Sequence, residues 1–340
     1  MEQRRPDRKD QRQHGRLFHA LRQPDAHRRP RWRIPYRPLT AESLQFIEEH
    51  KQQPFLLFYS LYAVHNPLQA PKPLIAKYAA RQKALGIPAN DRFAKDEDWM
   101  RHESGWRRRR VQDHPAYAAM IENMDWNIGR LIDKLRASGL DSNTLVIFTS
   151  DNGGLSTAEG SPTTNAPLRA GKGWLYEGGI RVPLIVYWKG RAEAGAVSEL
   201  PVNSADLFTT IAKAINARNR KGTGIDGEDL FELLTRPGAS KSRPLFWHYP
   251  HYSNQGGRPG AAIREGAFKL VYHYEEDAIE LFNIDADIAE KKDLATTHRR
   301  IAGRLKRKLF QWLDAHRAAR PAKNPGYVAN PASAAKPLPK

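Results

Sequence analysis

The stretch TLVIFTSDNGG, residues 144–154, decides the fold class of this 340-residue chain. Its first part, Thr144–Ser150, has the apolar centre expected of a strand buried on both faces of a parallel sheet. The strand leads directly into Asp151, Asn152 and two glycines, which permit a tight turn of the backbone. Because ligands of open α/β sheets bind beyond the carboxyl ends of the strands, the stretch predicts an α/β fold with a polar site at that edge.

The rest of the first two thirds of the chain fits the same class. Phe55–Tyr62 and Val182–Trp188 are further apolar runs of strand length. Apolar residues at helical spacing follow Tyr117, with Gly139 as the expected stop, and a second helix is predicted to be capped by Ser204. Strands that alternate with helices predict a mostly parallel sheet flanked by helices.

A different pattern begins after about residue 237, where short apolar runs are separated by turn residues. The predicted strands are Leu245–Tyr249, Ala262–Arg264, Phe268–Tyr274 and Ala278–Asn283. A helix is predicted from about Thr296. These elements predict a small α+β domain with an antiparallel sheet and a C-terminal helix.

Four regions follow from these patterns. Residues 1–38 form a basic head with no periodic apolar face, which is predicted to be disordered or to come from a mis-started reading frame. Order is expected from Thr40, the predicted N-cap of a first helix. The α/β domain occupies residues 39–237 and the α+β domain residues 238–318, and residues 319–340 are predicted to be a disordered tail.

The net charge of +18 suggests a nucleic-acid partner until its position is considered. The head carries a net charge of +8 and residues 295–340 carry +10, so residues 39–294 have no net charge. The high net charge therefore belongs to the two ends and does not require a basic central domain, and no specific nucleic-acid partner is expected.

The absence of cysteine excludes disulfides, thiolate zinc sites and a cysteine nucleophile. No apolar run reaches the roughly 20 residues that cross a bilayer, and the start lacks the apolar region of a secretory signal. We therefore expect no membrane span, and the compartment stays undetermined.

Four residues are candidates for chemistry on their own pattern. Asp151 and Asn152 offer hard oxygen ligands suited to Ca²⁺ or Mg²⁺, although Asp-Asn-Gly is also a common turn. Lys172, within GKGWLYEGGIRVP, has a glycine frame that can bring its ammonium group to an anion, and a solvated lysine is the alternative. His65, within AVHNPLQAP, follows a predicted buried strand and is either a site residue or a structural histidine.

In this order along the chain, several stretches resemble the arylsulfatase A-like branch of the sulfatase family, within the alkaline-phosphatase-like superfamily. The resemblance covers roughly residues 39–295 and includes the α+β domain. The stretches are FLLFYSLYAVHNPLQAP (55–71), VIFTSDNGG (146–154), GKGWLYEGGIRVPLIVYWKG (171–190), HYPHYSNQGGRPGAAIREGAFKLVYHY (248–274) and ELFNIDADIAEKKDLA (280–295).

The resemblance implies a calcium-assisted hydrolysis of sulfate esters. In sulfatases an early aspartate pair and a later Asp-Asn pair hold Ca²⁺, and a formylglycine made from Cys or Ser attacks the sulfur. Asp151 and Asn152 match the later pair. Lys172 would contact the sulfate and its bridging oxygen, and His65 would contact the sulfate and assist the leaving group.

Two further histidines enter through the same resemblance. His248 and His251, in HYPHY, resemble residues of the substrate pocket, while packing at a strand end is the alternative for both. The implied partner is a sulfate ester, including a sulfated glycan.

The chain also departs from the family pattern. The nucleophile motif is Cys or Ser, then x-Pro-x-Arg, and the only Ser-x-Pro here, beginning at Ser242, continues to Phe246 instead of Arg. Formylglycine is thus not expected, and no nucleophile is assigned. The early aspartate pair is also missing, so half of the calcium ligands are present; the aspartates upstream of residue 39 are Asp7, Asp10 and Asp25.

These departures leave three alternatives. The chain is a truncated or mis-started piece of an intact sulfatase, whose parent is expected to be exported, and is inactive by itself. Alternatively, it belongs to a phosphoester or phosphonate hydrolase of the same superfamily, although such enzymes commonly use two metals with more His and Asp ligands. A third alternative is a non-catalytic remnant that binds sulfated glycans.

Overall fold

The computed structural model of the chain divides into two compact units. The first unit contains residues 36–86 and 113–144, and the second contains the other described residues. The predicted head, the predicted tail and the domain boundary at residue 237 lie largely outside the described part, so these boundaries stay predictions. The structure describes residues 36–95, 107–217, 224, 226–236 and 243–322.

The first unit is built from three helices. They are α1 (Tyr36–His50), α2 (Lys72–Ala84) and α3 (Pro115–Ala137). The His114 ring accepts a hydrogen bond from the backbone N–H of Tyr117 at the start of α3. Gly139 ends the helix with φ +67°, which confirms the predicted stop. Ile47 of α1 and Met120 of α3 are buried in this unit.

Thr40 is not the N-cap that the sequence predicted, because α1 begins four residues earlier. Its buried hydroxyl donates to Asn127 Oδ1 at 2.8 Å and lies 2.7 Å from Tyr59 Oη. The side chain thus serves a tertiary hydrogen bond between α1 and α3 instead of satisfying the helix terminus.

Phe55–Tyr62 is not a β-strand in the structure, since it has no hydrogen-bonded strand partner among the described residues. Every second side chain is exposed, including Leu56, Phe58 and Tyr62. Apolar composition identified a segment suited to a sheet, but a strand also requires a neighbour for its backbone groups.

The first part of the second unit contains two short strand pairs. Its elements are β1 (Phe93–Lys95), β2 (Arg107–Arg109), β3 (Val146–Thr149), α4 (Glu177–Ile180), β4 (Leu184–Tyr187), α5 (Ser204–Ala214) and α6 (Phe231–Thr235). β1 pairs with β2, and β3 pairs with β4. Strands β3 and β4 confirm the positions of two predicted strands to within two residues at each end.

The pairing of β3 with β4 is antiparallel, with Val146 opposite Tyr187 and Thr149 opposite Leu184. All strand pairs of the described residues are antiparallel, so the predicted parallel neighbours are not among them. The reason lies in the connection. Residues 150–183 form loops and one helical turn that return the chain alongside β3, whereas a parallel pair needs a crossover.

Helix α5 shows a second difference in capping. Its N-cap is Asn203 and not Ser204: Asn203 Oδ1 accepts from Ala205 N–H at 3.1 Å, and Asp206 accepts from Asn203 N–H at 2.7 Å. Serine and asparagine are equally good caps, so sequence alone does not separate neighbours of this kind. None of the helices in the described part of the chain has the length and apolar composition needed to cross a bilayer.

The second part of this unit is a four-stranded antiparallel sheet with one helix. The strand order is β5-β6-β7-β8, and the antiparallel pairing is the one predicted for the small α+β domain. The elements are β5 (Leu245–Tyr249), β6 (Gly260–Glu265), β7 (Phe268–His273), β8 (Ala278–Asn283) and α7 (Arg299–Ala315).

Both faces of this sheet are covered. On one face, apolar side chains such as Ile263 and Leu270 pack against Leu305 and Leu309 of α7. The opposite face packs against residues 170–176. The sheet therefore holds the glycine-rich segment that carries Lys172.

Candidate functional site

The candidate site is centred on the turn at residues 151–154, directly after β3. Asp151 is exposed and Asn152 is half-buried, and the Asn152 side-chain amide donates to the Asp151 carboxylate. The Ser150 hydroxyl donates to the carbonyl oxygen of Asn152 at 3.0 Å. The two oxygen-bearing side chains thus lie side by side at a strand end, as predicted.

The glycines after Asn152 allow a close approach of two backbones. Gly153 N–H donates to Gly179 O at 2.9 Å. A Cβ atom on Gly153 would lie 1.7 Å from Gly178 O, and one on Gly179 would lie 2.1 Å from Trp174 O. Any larger residue would push the turn away from the glycine-rich segment, because neither obstacle is a movable side chain.

Asn165 ties the turn to the same segment from another side. Its Oδ1 accepts from Gly154 N–H at 2.9 Å, and its Nδ2 donates to Gly154 O at 2.8 Å and to Ala170 O at 2.9 Å. One amide therefore bridges the backbone of the turn and the backbone two residues before Lys172.

The backbone of Lys172 belongs to this frame, and its side chain does not. Lys172 N–H donates to Gly154 O at 3.1 Å, so the segment carrying the lysine is bonded to the 151–154 turn. The half-buried side chain makes no hydrogen bond or ion pair with any described residue. Its ammonium group is therefore uncommitted within the described part of the chain, as an anion-binding lysine requires.

The pair fits part of a calcium shell. Ca²⁺ takes about 6–8 oxygen ligands, and Asp151 with Asn152 supplies one carboxylate and one amide oxygen. A cation there would have to displace the hydrogen bond between the two side chains and turn the amide oxygen of Asn152 towards itself. Among the described residues no group of three or more His, Cys, Asp or Glu is placed to hold a metal. Asp151 and Asn152 would therefore fill only part of such a shell.

His65 lies in the first unit, in the turn after the extended segment 55–62. The residue is exposed, and its Nδ1 donates to Asn66 O at 2.8 Å. Its ring lies 5.1 Å from the ring of Tyr62, centroid to centroid. When neutral, a ring that donates from Nδ1 keeps the lone pair of Nε2 for another partner.

His248 and His251 lie at the end of β5 and just beyond it. His248 Nε2 is buried and has no hydrogen-bond partner among the described residues. Burial, followed by the charge of Arg320, lowers the pKa of His248 below its usual value. The exposed His251 ring packs on Tyr249, with 4.1 Å between the ring centroids.

Neither histidine hydrogen-bonds to Lys172, but the loop that follows them reaches the glycine-rich segment. Trp174 Nε1 donates to Gln255 O at 2.9 Å. A Cβ atom on Gly173 would lie 2.1 Å from Ser253 Oγ. The connection between β5 and β6 is therefore packed against the residues beside Lys172.

Sequence reasoning missed the side chains that hold this frame. Asn165 is a lone amide in a loop, and nothing in its neighbourhood distinguishes it from a turn residue. The buried charges of Glu177, Lys269 and Glu290 were also missed, because charged residues are normally expected at the surface. Only their contacts across the fold reveal them.

Comparison with protein-family models gives two matches. The model described as Sulfatase matches residues 9–217. The model described as N-sulphoglucosamine sulphohydrolase, C-terminal, matches residues 170–315. The first match includes the 151–154 turn and the glycine-rich segment, and the second includes the four-stranded sheet.

Similar proteins are sulfatases that are longer than this chain. A sulfatase of Formosa agariphila is 30% identical over 283 residues, which are 76% of this chain and 46% of the relative. The mouse N-acetylgalactosamine-6-sulfatase is 31% identical over 212 residues, 62% of this chain and 34% of the relative. The chain thus spans less than half the length of these curated relatives.

Solved structures agree. The crystal structure of Ps i-CgsB in complex with k-i-k-neocarrahexaose has a TM-score of 0.64 and 27% identity, covering 82% of this chain and 54% of that one. This likeness confirms the alkaline-phosphatase-like α/β fold with a C-terminal antiparallel sheet. Since the Sulfatase model alone matches well over half of the 340 residues, the chain belongs to the sulfatase family.

Proposed function

We propose that this chain supplies the C-terminal half of the site of a calcium-assisted sulfate-ester hydrolase. The observation that carries the proposal is the shared backbone frame. Lys172 N–H donates to Gly154 O, and Gly153 N–H donates to Gly179 O. The segment that carries the Lys172 ammonium group and the turn that carries Asp151 and Asn152 are therefore joined by backbone hydrogen bonds. Chemistry that needs both groups can be organised there without further rearrangement of the backbone.

The proposed role of Lys172 is electrostatic. Negative charge develops on the leaving oxygen as the ester bond to sulfur breaks, and a positioned ammonium group stabilises that charge. His65 is proposed to contact the sulfate and to donate a proton to the leaving group. Because Nδ1–H donates to Asn66 O, the proton for the leaving group would be on Nε2 of the protonated ring.

Calcium would supply a positive charge that orients the sulfate and offsets its negative charge. Asp151 and Asn152 would hold it from one side, and the remaining oxygens must come from elsewhere. The formylglycine of the family likewise needs a Cys or Ser motif that residues 1–340 do not contain. Complete turnover therefore requires groups beyond the ones assigned here.

The proposed substrate class is a sulfated sugar. Two relatives support it by name: the mouse protein is an N-acetylgalactosamine-6-sulfatase, and the solved structure contains k-i-k-neocarrahexaose. The exposed rings of His251 and Tyr252 suit such a ligand, because the faces of sugars pack on aromatic rings. His248 and His251 are proposed as residues of that pocket.

Ligand binding tests the proposal directly. Titration calorimetry with 4-nitrophenyl sulfate should show binding that weakens about ten-fold in Lys172→Ala, the loss expected for one charge-assisted hydrogen bond. Lys291→Ala, which removes an exposed lysine of the same unit, is the matched control and should bind as the wild type does. Equal affinity of Lys172→Ala and the wild type would contradict the assignment.

The calcium half of the proposal has its own titration. We expect a dissociation constant on the order of millimolar, the range of the poorest natural calcium sites, because the shell is underfilled. Asp151→Ala should abolish the binding, and Asp133→Ala, at an exposed position of α3, should not change it. Micromolar binding that Asp151→Ala abolishes would show that further ligands of this chain complete the shell.

Turnover is the third test. Residues 1–340 by themselves should not hydrolyse 4-nitrophenyl sulfate above background with calcium present, because covalent catalysis needs an activated nucleophile. Multiple turnover that Lys172→Ala abolishes would show that another residue replaces the formylglycine.

A further inference from the structure

A fully buried lysine lies on the face of the C-terminal sheet that packs against the glycine-rich segment. Lys269, in β7, has no exposed surface, and its Nζ lies 3.0 Å from Glu177 Oε1 and 2.9 Å from Glu290 Oε1. Lys269 shares this face with Val271, two residues along the strand. A charge is thus buried where apolar contacts surround it.

Glu177, in the first turn of α4, is the centre of this group. Its Oε2 lies 3.3 Å from an Arg264 guanidinium nitrogen, and its backbone N–H donates to Glu290 Oε2 at 2.7 Å. We call Glu177, Lys269, Glu290 and Arg264 the Glu177 cluster. Glu177 of the glycine-rich segment is thus contacted by Arg264 and Lys269 of the sheet and by Glu290 of the loop that follows it.

The Glu177 cluster is continuous with the candidate site. Gly178 N–H donates to Arg169 O at 2.8 Å, and Gly179 O accepts from Gly153 N–H at 2.9 Å. The two residues after Glu177 therefore lie directly against the turn that carries Asp151. A displacement of Glu177 would move the carbonyl to which that turn is bonded.

A second anchor holds the other side of the segment. Tyr176 Oη donates to Glu280 Oε2 at 2.6 Å, and His273 Nε2 lies 2.7 Å from the same oxygen. The Arg169 guanidinium stacks 3.7 Å from the Tyr176 ring centroid. Both anchors hold residues that follow Lys172 closely in the sequence, Tyr176 and Glu177. The Lys172 side chain itself makes no hydrogen bond or ion pair with the described residues.

Stability alone does not account for the Glu177 cluster. Burying an ion pair removes charges from water, and well-packed apolar residues in the same place are often equally or more stabilising. Apolar contacts are also less directional, and they tolerate a shift of the segment along the sheet. Ion pairs and hydrogen bonds to one carboxylate define a single position.

We infer that Glu177 and Lys269 are positioning residues that fix the glycine-rich segment, and with it Lys172 and the Asp151 turn, on the C-terminal sheet. The inference rests on the proposed sulfate-binding function of Lys172. The cluster acts on the site through the backbone of residues 177–179 and touches no substrate.

The test uses the full chain and two readouts. Glu177→Gln keeps the shape of the side chain and removes its charge, and Lys269→Met removes the partner charge. Both should speed amide hydrogen exchange about ten-fold in the peptides covering residues 151–154 and 171–179. Both should also weaken 4-nitrophenyl sulfate binding about ten-fold. Lys308→Met, the same substitution at a partly exposed ion pair of α7, should change neither readout.

The outcomes separate the inference from the function on which it rests. Unchanged exchange in folded Glu177→Gln would overturn the positioning role, and so would faster exchange spread evenly over β5–β8, since that marks a purely structural role. If the wild type does not bind 4-nitrophenyl sulfate, the proposed function fails. Faster exchange confined to the two peptides would still support the positioning role of the Glu177 cluster. Should Lys269→Met not fold, Glu177→Gln decides alone.

Discussion

The four-stranded sheet β5–β8 and the β3–β4 pair belong to the same unit and are covered very differently. In the four-stranded sheet, Ile263 and Leu281 have no exposed surface. In β4, Ile185 is 59% exposed and Tyr187 is 37% exposed. The pair that leads into the 151–154 turn is thus the open one, and the four-stranded sheet is the packed one.

In this unit the packed core lies in the four-stranded sheet, and the candidate site lies beside the more exposed β3–β4 pair. The 151–154 turn follows a strand with a single described neighbour, and two strands alone are marginally stable in water. Its position is supported instead by the glycine-rich segment, which the covered sheet holds through the apolar core around Val271 and Phe282. The site is therefore expected to depend on residues that lie far from it in sequence.

A matched pair of isoleucines gives the largest contrast. Ile263→Ala removes a fully buried side chain and should cost about 2–5 kcal/mol of the free energy of unfolding. Ile185→Ala removes a mostly exposed one and should cost less than about 1 kcal/mol. Urea denaturation followed by circular dichroism measures both. Similar losses would mean that β4 is covered by something beyond the described residues, such as a second copy of the chain.

Acid should destabilise the covered sheet. Burial raises the pKa of Glu280, but the hydrogen bond and charge of His273 and the charge of Arg169 outweigh it and hold the pKa at about 2. A lowered carboxyl pKa stabilises the fold fully above about pH 4.5, and that stabilisation is lost as the pH falls towards 2. It amounts to about 3 kcal/mol.

Glu280→Gln tests this account. The variant should be less stable than the wild type near pH 7, and the difference should shrink below pH 4.5 and vanish near pH 2. Glu199→Gln, at an exposed position after β4, should stay within about 0.5 kcal/mol of the wild type at pH 7. Thermal unfolding at several pH values provides the measurement. A Glu280→Gln deficit that is the same at all pH values would show that packing, not charge, is lost.

Local patterns predicted the covered sheet well and the open region poorly. The bounds of β5 and β8 agree with the sequence prediction, since alternating side chains and short turns are encoded within a few residues. Phe55–Tyr62 was predicted to be a strand because it is an apolar run of strand length, and it is not a strand in the structure. Whether an apolar run forms a ladder depends on a neighbour that its own sequence does not specify.

The candidate site shows the same limit. Asp151, Asn152 and Lys172 were predicted from glycine-rich turns, which leave a local signal. Glu177 and Lys269 left none, because they are 92 positions apart and each reads as a surface charge. The residues proposed to bind are visible in a local motif, whereas the residues proposed to position that motif become visible only with the tertiary contacts.

A substitution on the exposed side of β4 should change the free energy of unfolding least and still reduce the association between copies of the chain. Tyr187 and Ile185 project from the same side of β4, two residues apart, and exposed apolar side chains on a strand favour its association with another copy of the chain. Tyr187→Lys places a charge on that side at a position already 37% exposed, so the free energy of unfolding should change by no more than about 0.5 kcal/mol. Self-association should nevertheless fall, because a lysine on an exposed strand opposes intermolecular pairing.

Static light scattering over a concentration series measures the self-association. Lys308→Arg, which keeps the charge of a residue on α7, serves as the control. Unchanged scattering by Tyr187→Lys would show that the open side of β4 is not a contact between copies, and the comparison of covered and open regions would then concern stability alone.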